Sequence, residues 1–255
     1  MAEFFLIAGP CVVESEDLCF LIAERLKTIC TSLKIPFIFK ASYKKANRST
    51  LNSFSTIGED KALQILANIK SKLAIEILTD VHETTDCNKV KDIVDVIQIP
   101  AFLCRQTELL IAAGETGKII NIKKGQFADA NTMIAAAEKV KSTGNNKVWI
   151  TERGNMFGYH DLIVDFRNIA QLISQKMTTI LDITHSVQQP NSSTGITLGL
   201  TQYIETLAKC GIVSGVNGIF LETHPEPEKA LSDKHTMLAL DKVEELLNIL
   251  KNISV

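Results

Sequence analysis

FIFKASYKKANRST, residues 37–50, decides how the rest of the chain is read. It begins with Phe37, Ile38 and Phe39, the kind of run a buried strand carries, and then turns basic and polar. Lys40, Lys44, Lys45 and Arg48 fall within nine residues, with Ser42, Asn47, Ser49 and Thr50 among them. An apolar strand that delivers cations and hydroxyls at its C-terminal end suits anions, phosphates above all. The same run reads equally well as a solvated basic turn. What discriminates is whether the other strands end in the same way.

Segments rich in β-branched and aromatic residues recur at 4–8, 36–40, 74–78, 94–99, 118–122, 147–150, 179–183 and 218–221. Most are continuous apolar runs, as in strands covered on both faces. Helical periodicity fills the gaps. Leu18, Ile22, Leu26, Ile29 and Leu33 share one face, as do Ala62, Leu66 and Ile69. Val243, Leu246, Leu247 and Leu250 do so near the end, opposite Glu244, Glu245 and Lys251. Strand–helix alternation implies an α/β fold with a parallel sheet. Eight repeats in 255 residues point to a single (β/α)8 TIM barrel spanning 1–255. A doubly wound sheet is the alternative, because periodicity does not report closure.

Composition narrows the function. With 45% hydrophobic residues the chain can bury a sizeable core, and a net charge of −2 gives no global attraction to nucleic acid or anionic membrane. Anion binding must then be local. No apolar run approaches the ~18 residues of a transmembrane helix, and the opening MAEFFLIAGP lacks the positive charge of a signal peptide. A cytoplasmic protein is expected. Cys11, Cys19, Cys30, Cys87, Cys104 and Cys210 form no CxxC pair and are expected to be reduced, most of them as small core residues.

If the fold is a barrel, chemically capable residues should collect just after each strand. They do so at all eight ends: Cys11 and Glu14; Lys40 and the basic run; Asp80, His82 and Glu83; Arg105; Lys123 and Lys124; Glu152 and Arg153; Asp182 and His185; Glu222, His224 and Asp233. One set is cationic: Lys40, Lys45, Arg48, Arg105, Lys123 and Arg153. Gathered in one cavity these would repel strongly without bound phosphates or carboxylates. The second set is Cys11, His185, Glu222 and Asp233, donors that suit a divalent transition metal. Their spacing follows no compact motif, and alone it does not make a metal site of them.

The motifs around these residues are long and ordered: IAGPCVVES (7–15), FKASYKKANRST (39–50), TDVHE (79–83), IQIPAFLCRQT (97–107), NIKKGQF (121–127), TERG–FGY (151–159), DITHSVQ (182–188) and FLETHPEPEKALSD (220–233). Together they resemble 3-deoxy-D-manno-octulosonate 8-phosphate synthase, from near residue 4 to past residue 240. The resemblance implies a homotetrameric (β/α)8 transferase. It would condense phosphoenolpyruvate with D-arabinose 5-phosphate and water, giving 3-deoxy-D-manno-octulosonate 8-phosphate and phosphate. The product feeds lipopolysaccharide inner-core synthesis.

Carried over motif by motif, Lys40, Ser42, Lys45, Lys123 and Arg153 would hold phosphoenolpyruvate. Asn47, Arg48 and Ser49 would hold the pentose phosphate, with Arg48 reaching a neighbouring subunit's site. Arg105 would be a further phosphate ligand, Asp80 would lie near the pentose and His82 near the reacting water. Lys44 matches no functional position and reads as a surface charge. The family has a metal-dependent branch with Cys, and a metal-independent branch with Asn, where this chain has Cys11. The resemblance therefore implies a divalent metal on Cys11, His185, Glu222 and Asp233: zinc or iron first, then manganese, cobalt or cadmium.

Two departures stand out. Ser55-Thr56 follows Phe54 where the family commonly has an Arg, and Leu198-Gly199-Leu200-Thr201 replaces a Gly-Gly-x-Arg pattern. The missing cations at Thr56 and Thr201 bear on loop ordering and substrate affinity. Two competing readings follow. One is the sister enzyme, 3-deoxy-D-arabino-heptulosonate 7-phosphate synthase, which uses erythrose 4-phosphate and usually reads KPRT where this chain reads KANRS. The other is a barrel that binds a sugar phosphate without turning it over.

Overall fold

A computed structural model describes residues 3–48, 51–156, 160–190 and 198–253. Eight strands alternate with eight main helices. The strands are β1 (Phe5–Gly9), β2 (Phe37–Lys40), β3 (Glu76–Asp80), β4 (Val96–Ile99), β5 (Ile119–Lys123), β6 (Val148–Glu152), β7 (Thr178–Asp182) and β8 (Gly218–His224). The helices are α1 (Glu16–Leu33), α2 (Glu59–Leu73), α3 (Thr84–Val90), α4 (Thr107–Gly114), α5 (Ala130–Lys141), α6 (Phe166–Ser174), α7 (Ile204–Val213) and α8 (Val243–Lys251). Each strand pairs in parallel with the next, and β8 pairs back onto β1 from Phe5 opposite Gly218 to Gly9 opposite Glu222. That last ladder closes the (β/α)8 barrel and removes the doubly wound alternative.

The helical stripes read from the sequence face the sheet. Ile22, Leu26 and Ile29 of α1, Ala62, Leu66 and Ile69 of α2, and Val243, Leu246, Leu247 and Leu250 of α8 are all buried. Leu18 and Leu33 pack half-buried against the same layer. Ser15 caps α1 by accepting from the Leu18 N–H, with Glu16 and Asp17 in the first turn. All six cysteines are free. Cys210 is exposed and the other five are buried. Among the described residues no helix is long and apolar enough to cross a membrane.

Five strands, β1, β3, β5, β6 and β8, run past the apolar segments that signal them. The parallel ladder continues through polar residues: Gly9 pairs with Glu222, Asp80 with Gln98, and Lys123 with Thr151. Backbone hydrogen bonding does not depend on side-chain polarity, so apolar runs underestimate strand length. Among the extra residues, Asp80, Lys123 and Glu222 send their side chains into the barrel.

The interior is layered with a period of two. Ile7, Ile38, Leu78, Val96, Ile180 and Phe220 form an apolar plug, with Phe5, Ile119 and Trp149 packed against it. Two residues further along, on the same face, the plug gives way to charge: Ile38 to Lys40, Leu78 to Asp80, Ile180 to Asp182 and Phe220 to Glu222. Asn121 and Lys123 of β5, and Thr151 of β6 with Arg153 just beyond it, repeat the step from polar to charged. Phe220 forms the floor, with Lys123 Nζ 3.1 Å and Lys40 Nζ 5.6 Å from its ring centroid.

Candidate active site

The mouth at the C-terminal ends of the strands is built by short backbone ties. Beyond β1 and β2 the pairing continues as a bridge between Val12 and Ser42, with Ser42 N donating to the Cys11 carbonyl and Val13 N to that of Ser42. This seats Cys11 beside the basic loop. Gly9 permits the approach, because a Cβ there would lie 2.1 Å from the Lys40 carbonyl oxygen.

Cys11, Glu222 and Asp233 converge, each with a ligand atom within 4.8 Å of the others. The Cys11 thiol donates to Asp233 Oδ2 at 2.9 Å. Burial, then the Asp233 and Glu222 carboxylates, push that thiol well above its ordinary pKa. Burial alone would raise Asp233, but Lys45 and then His185 hold it below the usual carboxylate range. Glu222 is lowered likewise, against burial, by Lys40, His185 and Lys45. Its Oε1 accepts from Lys40 Nζ at 2.7 Å, and its buried Oε2 has no hydrogen-bond partner among the described residues.

His185 completes this group through a neighbour. Asp182 Oδ1 accepts from the backbone N–H of Thr184 and His185, 2.9 Å each, and caps the turn that carries the imidazole. Asp182 Oδ2 lies 2.8 Å from His185 Nδ1 and also pairs with Lys123. Burial opposes ionisation of Asp182, but His185 and Lys123 hold its pKa well down, so it stays an acceptor. Nδ1 is therefore the ring nitrogen that faces Asp182, and Nε2 is the one turned toward the other ligands. Nε2 faces Glu222 Oε2 at 3.9 Å and Asp233 Oδ2 at 4.0 Å. The thiol, imidazole and two carboxylates, an orphaned Glu222 oxygen, and a His held by a second carboxylate fit the needs of a tetrahedral divalent metal.

Lys40, Lys45, Lys123 and Arg153 share this cavity. Lys40 also donates to the Cys11 carbonyl at 2.9 Å, and Lys45 lies 3.5 Å from Ser42 Oγ and 3.9 Å from Asp233 Oδ2. Their pKa values are raised against burial, by Glu222 for Lys40 and by the Cys11, Glu222 and Asp233 group for Lys45. Lys123 behaves differently: burial pulls it down to about 8 in spite of Asp182. Arg153 Nη2 donates to Gln188 Oε1 at 2.6 Å, and its buried Nη1 has no hydrogen-bond partner among the described residues. The four cations face four carboxylates, Asp80, Asp182, Glu222 and Asp233. The repulsion expected from the sequence is thus largely balanced within the protein.

His82 Nε2 lies 3.1 Å from Asp80 Oδ2, and the buried Asp80 Oδ1 has no hydrogen-bond partner among the described residues. Burial opposes ionisation of Asp80, and His82, Lys40 and Lys45 outweigh it. Asp86 accepts from the backbone N–H of His82 and Glu83 at 3.1 Å each, which holds the turn.

The remaining candidates lie further out. Arg48 is anchored within its own chain, donating to Ser232 Oγ at 2.7 Å and to the Leu231 carbonyl at 3.5 Å. Asn47 is exposed on the same loop, and Ser49 lies outside the described residues. Arg105 is exposed on the turn after β4, and among the described residues no hydrogen bond or ion pair of its side chain ties it to the mouth. Lys44 pairs with Glu59 at 2.9 Å, away from the cluster, as a surface charge would. At the two departures, Thr56 Oγ1 donates to the Tyr43 carbonyl and accepts from Gly58 N, pinning the loop, while Thr201 opens a short 3₁₀ turn. The sequence marks Asp182 only as a strand-end residue with no assigned role, and it does not mark Gln188. For Asp182 a signal existed: it stands two residues after Ile180, on the inward face. Gln188 carried none.

The profile of the DAHP synthetase I family matches residues 2–255. Proteins named 2-dehydro-3-deoxyphosphooctonate aldolase align over nearly the whole chain. That of Dichelobacter nodosus is 48% identical over 248 residues, 97% of this chain and 90% of its own length. That of Acidithiobacillus ferrooxidans is 45% identical over 250 residues, 98% and 89%. That of Legionella pneumophila is 44% identical over 247 residues, 97% and 90%. The name is a synonym of the octulosonate 8-phosphate synthase that the sequence motifs resemble. The chain belongs to the DAHP synthetase I family, together with these 2-dehydro-3-deoxyphosphooctonate aldolases.

Proposed function

We propose that this chain condenses phosphoenolpyruvate with D-arabinose 5-phosphate and water to give 3-deoxy-D-manno-octulosonate 8-phosphate and inorganic phosphate. Its physiological place would be the cytoplasmic synthesis of the lipopolysaccharide inner core. The observation that carries this reading is Arg153: a buried guanidinium with an unbonded Nη1, tied through Gln188 to Asp233 of the thiol–imidazole–carboxylate cluster. It offers a small polyanion and a divalent cation one shared cavity. The relatives named for the octonate support the five-carbon aldose over erythrose 4-phosphate.

In this reaction carbon 3 of phosphoenolpyruvate attacks the pentose aldehyde and water adds at carbon 2. The resulting hemiketal phosphate loses phosphate by C–O cleavage. Arg153, Lys123, Lys40, Lys45 and Ser42 bind phosphoenolpyruvate and stabilise charge that develops on it. Asn47, Arg48 and Ser49 take the pentose phosphate, and Arg105 is a rim ligand for phosphate. Asp80 orients His82 through Nε2, and the pair would exchange a proton with the water or the new hydroxyl.

Cys11, His185, Glu222 and Asp233 hold a divalent metal, zinc or iron before manganese, cobalt or cadmium. When bound, the metal would activate water or orient the aldehyde. The working form is a homotetramer. In support, Phe102, Phe127 and Met156 are each more than half exposed on three consecutive loops, after β4, β5 and β6, and Met156 N donates to the Gln126 carbonyl, which brings two of these loops together.

Phosphate release should be measured with each aldose phosphate, alongside elemental analysis of the purified protein. Release with arabinose 5-phosphate is expected. Release with erythrose 4-phosphate alone would overturn the assignment, and no release with either would favour a non-catalytic binding barrel.

A further inference from the structure

Gln188 is a buried residue that none of the assigned roles uses, 8% exposed and three positions after His185. It caps a one-turn 3₁₀ helix, His185–Val187, and starts a two-residue strand pairing with Leu198–Gly199. Extended backbone sends successive side chains to opposite faces. Gln189 points outward, donating to Asp161 Oδ1 at 2.6 Å, and Gln188 points into the mouth. The approach of Leu198–Gly199 depends on glycine, since a Cβ on Gly199 would lie 2.3 Å from the His235 carbonyl oxygen.

The Gln188 carboxamide touches both halves of the site. Its Oε1 accepts from Arg153 Nη2 at 2.6 Å, and its Nε2 donates to Asp233 Oδ1 at 3.3 Å. A guanidinium only donates and an ionised carboxylate only accepts, so one orientation of the amide satisfies both. At Arg153 the contact occupies Nη2 and leaves the buried Nη1 unbonded among the described residues. At Asp233 it occupies Oδ1 and leaves Oδ2 facing Cys11, 2.9 Å away. Asp233 also has a φ of 49°, a backbone state that residues with a side chain seldom keep unless held.

We infer that Gln188 is a positioning residue spanning the two sites: it sets which guanidinium nitrogen meets the substrate anion and which carboxylate oxygen meets the metal. The inference rests on the functional reading above, with Arg153 as the anion ligand and Asp233 as a metal ligand. Neither neighbour substitutes for it. A carboxylate in its place would repel Asp233, and an apolar side chain would leave both partners unsatisfied. Partners that orient a metal ligand are typically worth about 10- to 100-fold in metal affinity.

The test uses the full-length enzyme and two binding measurements made apart from turnover. One is the affinity for Co²⁺ by chelator competition without substrate. The other is the affinity for phosphoenolpyruvate in metal-free protein. Gln188→Met is expected to weaken both about tenfold and to raise the KM for phosphoenolpyruvate more than it lowers kcat. Gln189→Met, which removes only the contact with Asp161, should leave both at the wild-type level. If Gln188→Met does not fold, Gln188→Asn serves: one methylene shorter, it reaches at most one partner and should lose at least one affinity. Gln188→Met or Gln188→Asn with both affinities intact would overturn the inference alone. Wild-type protein that binds neither Co²⁺ nor phosphoenolpyruvate would overturn the functional reading and the inference with it.

Discussion

Lys40 Nζ lies 2.7 Å from Glu222 Oε1, and their side chains are 2% and 0% exposed. The two come from β2 and β8, on either side of β1, and meet across the barrel mouth. A buried pair of this kind adds little net stability, but breaking it leaves one charge uncompensated. The pair also divides Glu222, holding one oxygen with an ammonium and leaving the other free for a second cation.

Lys40→Met should therefore destabilise the protein by about 3–5 kcal/mol, because Glu222 is left buried and ionised. Chemical denaturation in the presence of a chelator measures this. Adding Zn²⁺ should recover part of the loss, since a metal supplies the missing positive charge at Glu222. Equal stability of wild type and variant would mean that Glu222 is neutral in the folded protein.

Cys11→Ala should lower both bound metal and turnover, checked by elemental analysis and phosphate release on the same preparation. Cys11→Asn should keep part of the activity, as the resemblance to the metal-independent branch implies. Full activity in metal-free wild type would remove the metal from the reaction.

Lys123 gives a pH signature. Burial lowers its pKa from 10.5 to about 8, so the folded protein gives up this proton before the unfolded chain does. Between about pH 8 and 10.5 the unfolded chain binds more protons, and this group adds stability as pH rises. Substrate binding runs the opposite way, because the ammonium form holds the anion. The KM for phosphoenolpyruvate should rise above about pH 8, by about tenfold per pH unit. Lys123→Arg should move that limb to higher pH. A flat KM profile from pH 7 to 10 would show that Lys123 does not grip the substrate.

Gly9→Ala probes the packing under the site. The added methyl meets the Lys40 carbonyl oxygen at 2.1 Å, on backbone that cannot move aside alone. A cost of about 3 kcal/mol or more is expected, with the ladder between β1 and β2 disturbed and the Lys40–Glu222 pair displaced. Thermal melting and phosphate release should both fall. A variant with wild-type values in both would mean that the two strands separate freely.

Much of the site was legible along the chain for a local reason. Side chains of a strand alternate between two faces, so an inward apolar residue marks the inward residue two positions on. Ile38 announces Lys40, Leu78 announces Asp80 and Phe220 announces Glu222, whatever the rest of the fold does. The same alternation, repeated eight times with helical stripes between, carries the fold class. Strand ends were less legible, because the ladder runs through polar residues such as Lys123 and Glu152.

The sequence by itself determined the parallel α/β class, the family motifs with the barrel they imply, and which residue types stand at each strand end. Tertiary structure alone decided which of these meet. Cys11 and Asp233 are bonded across 222 residues, and only the ladder between β1 and β8 brings their loops together. Closure likewise matched four carboxylates to four cations, turned Arg48 onto its own Ser232, left Arg105 on the surface and placed Gln188 between Arg153 and Asp233. Local periodicity reports which face a side chain takes. It carries no information about what stands opposite, because that depends on long-range strand order, register and loop path.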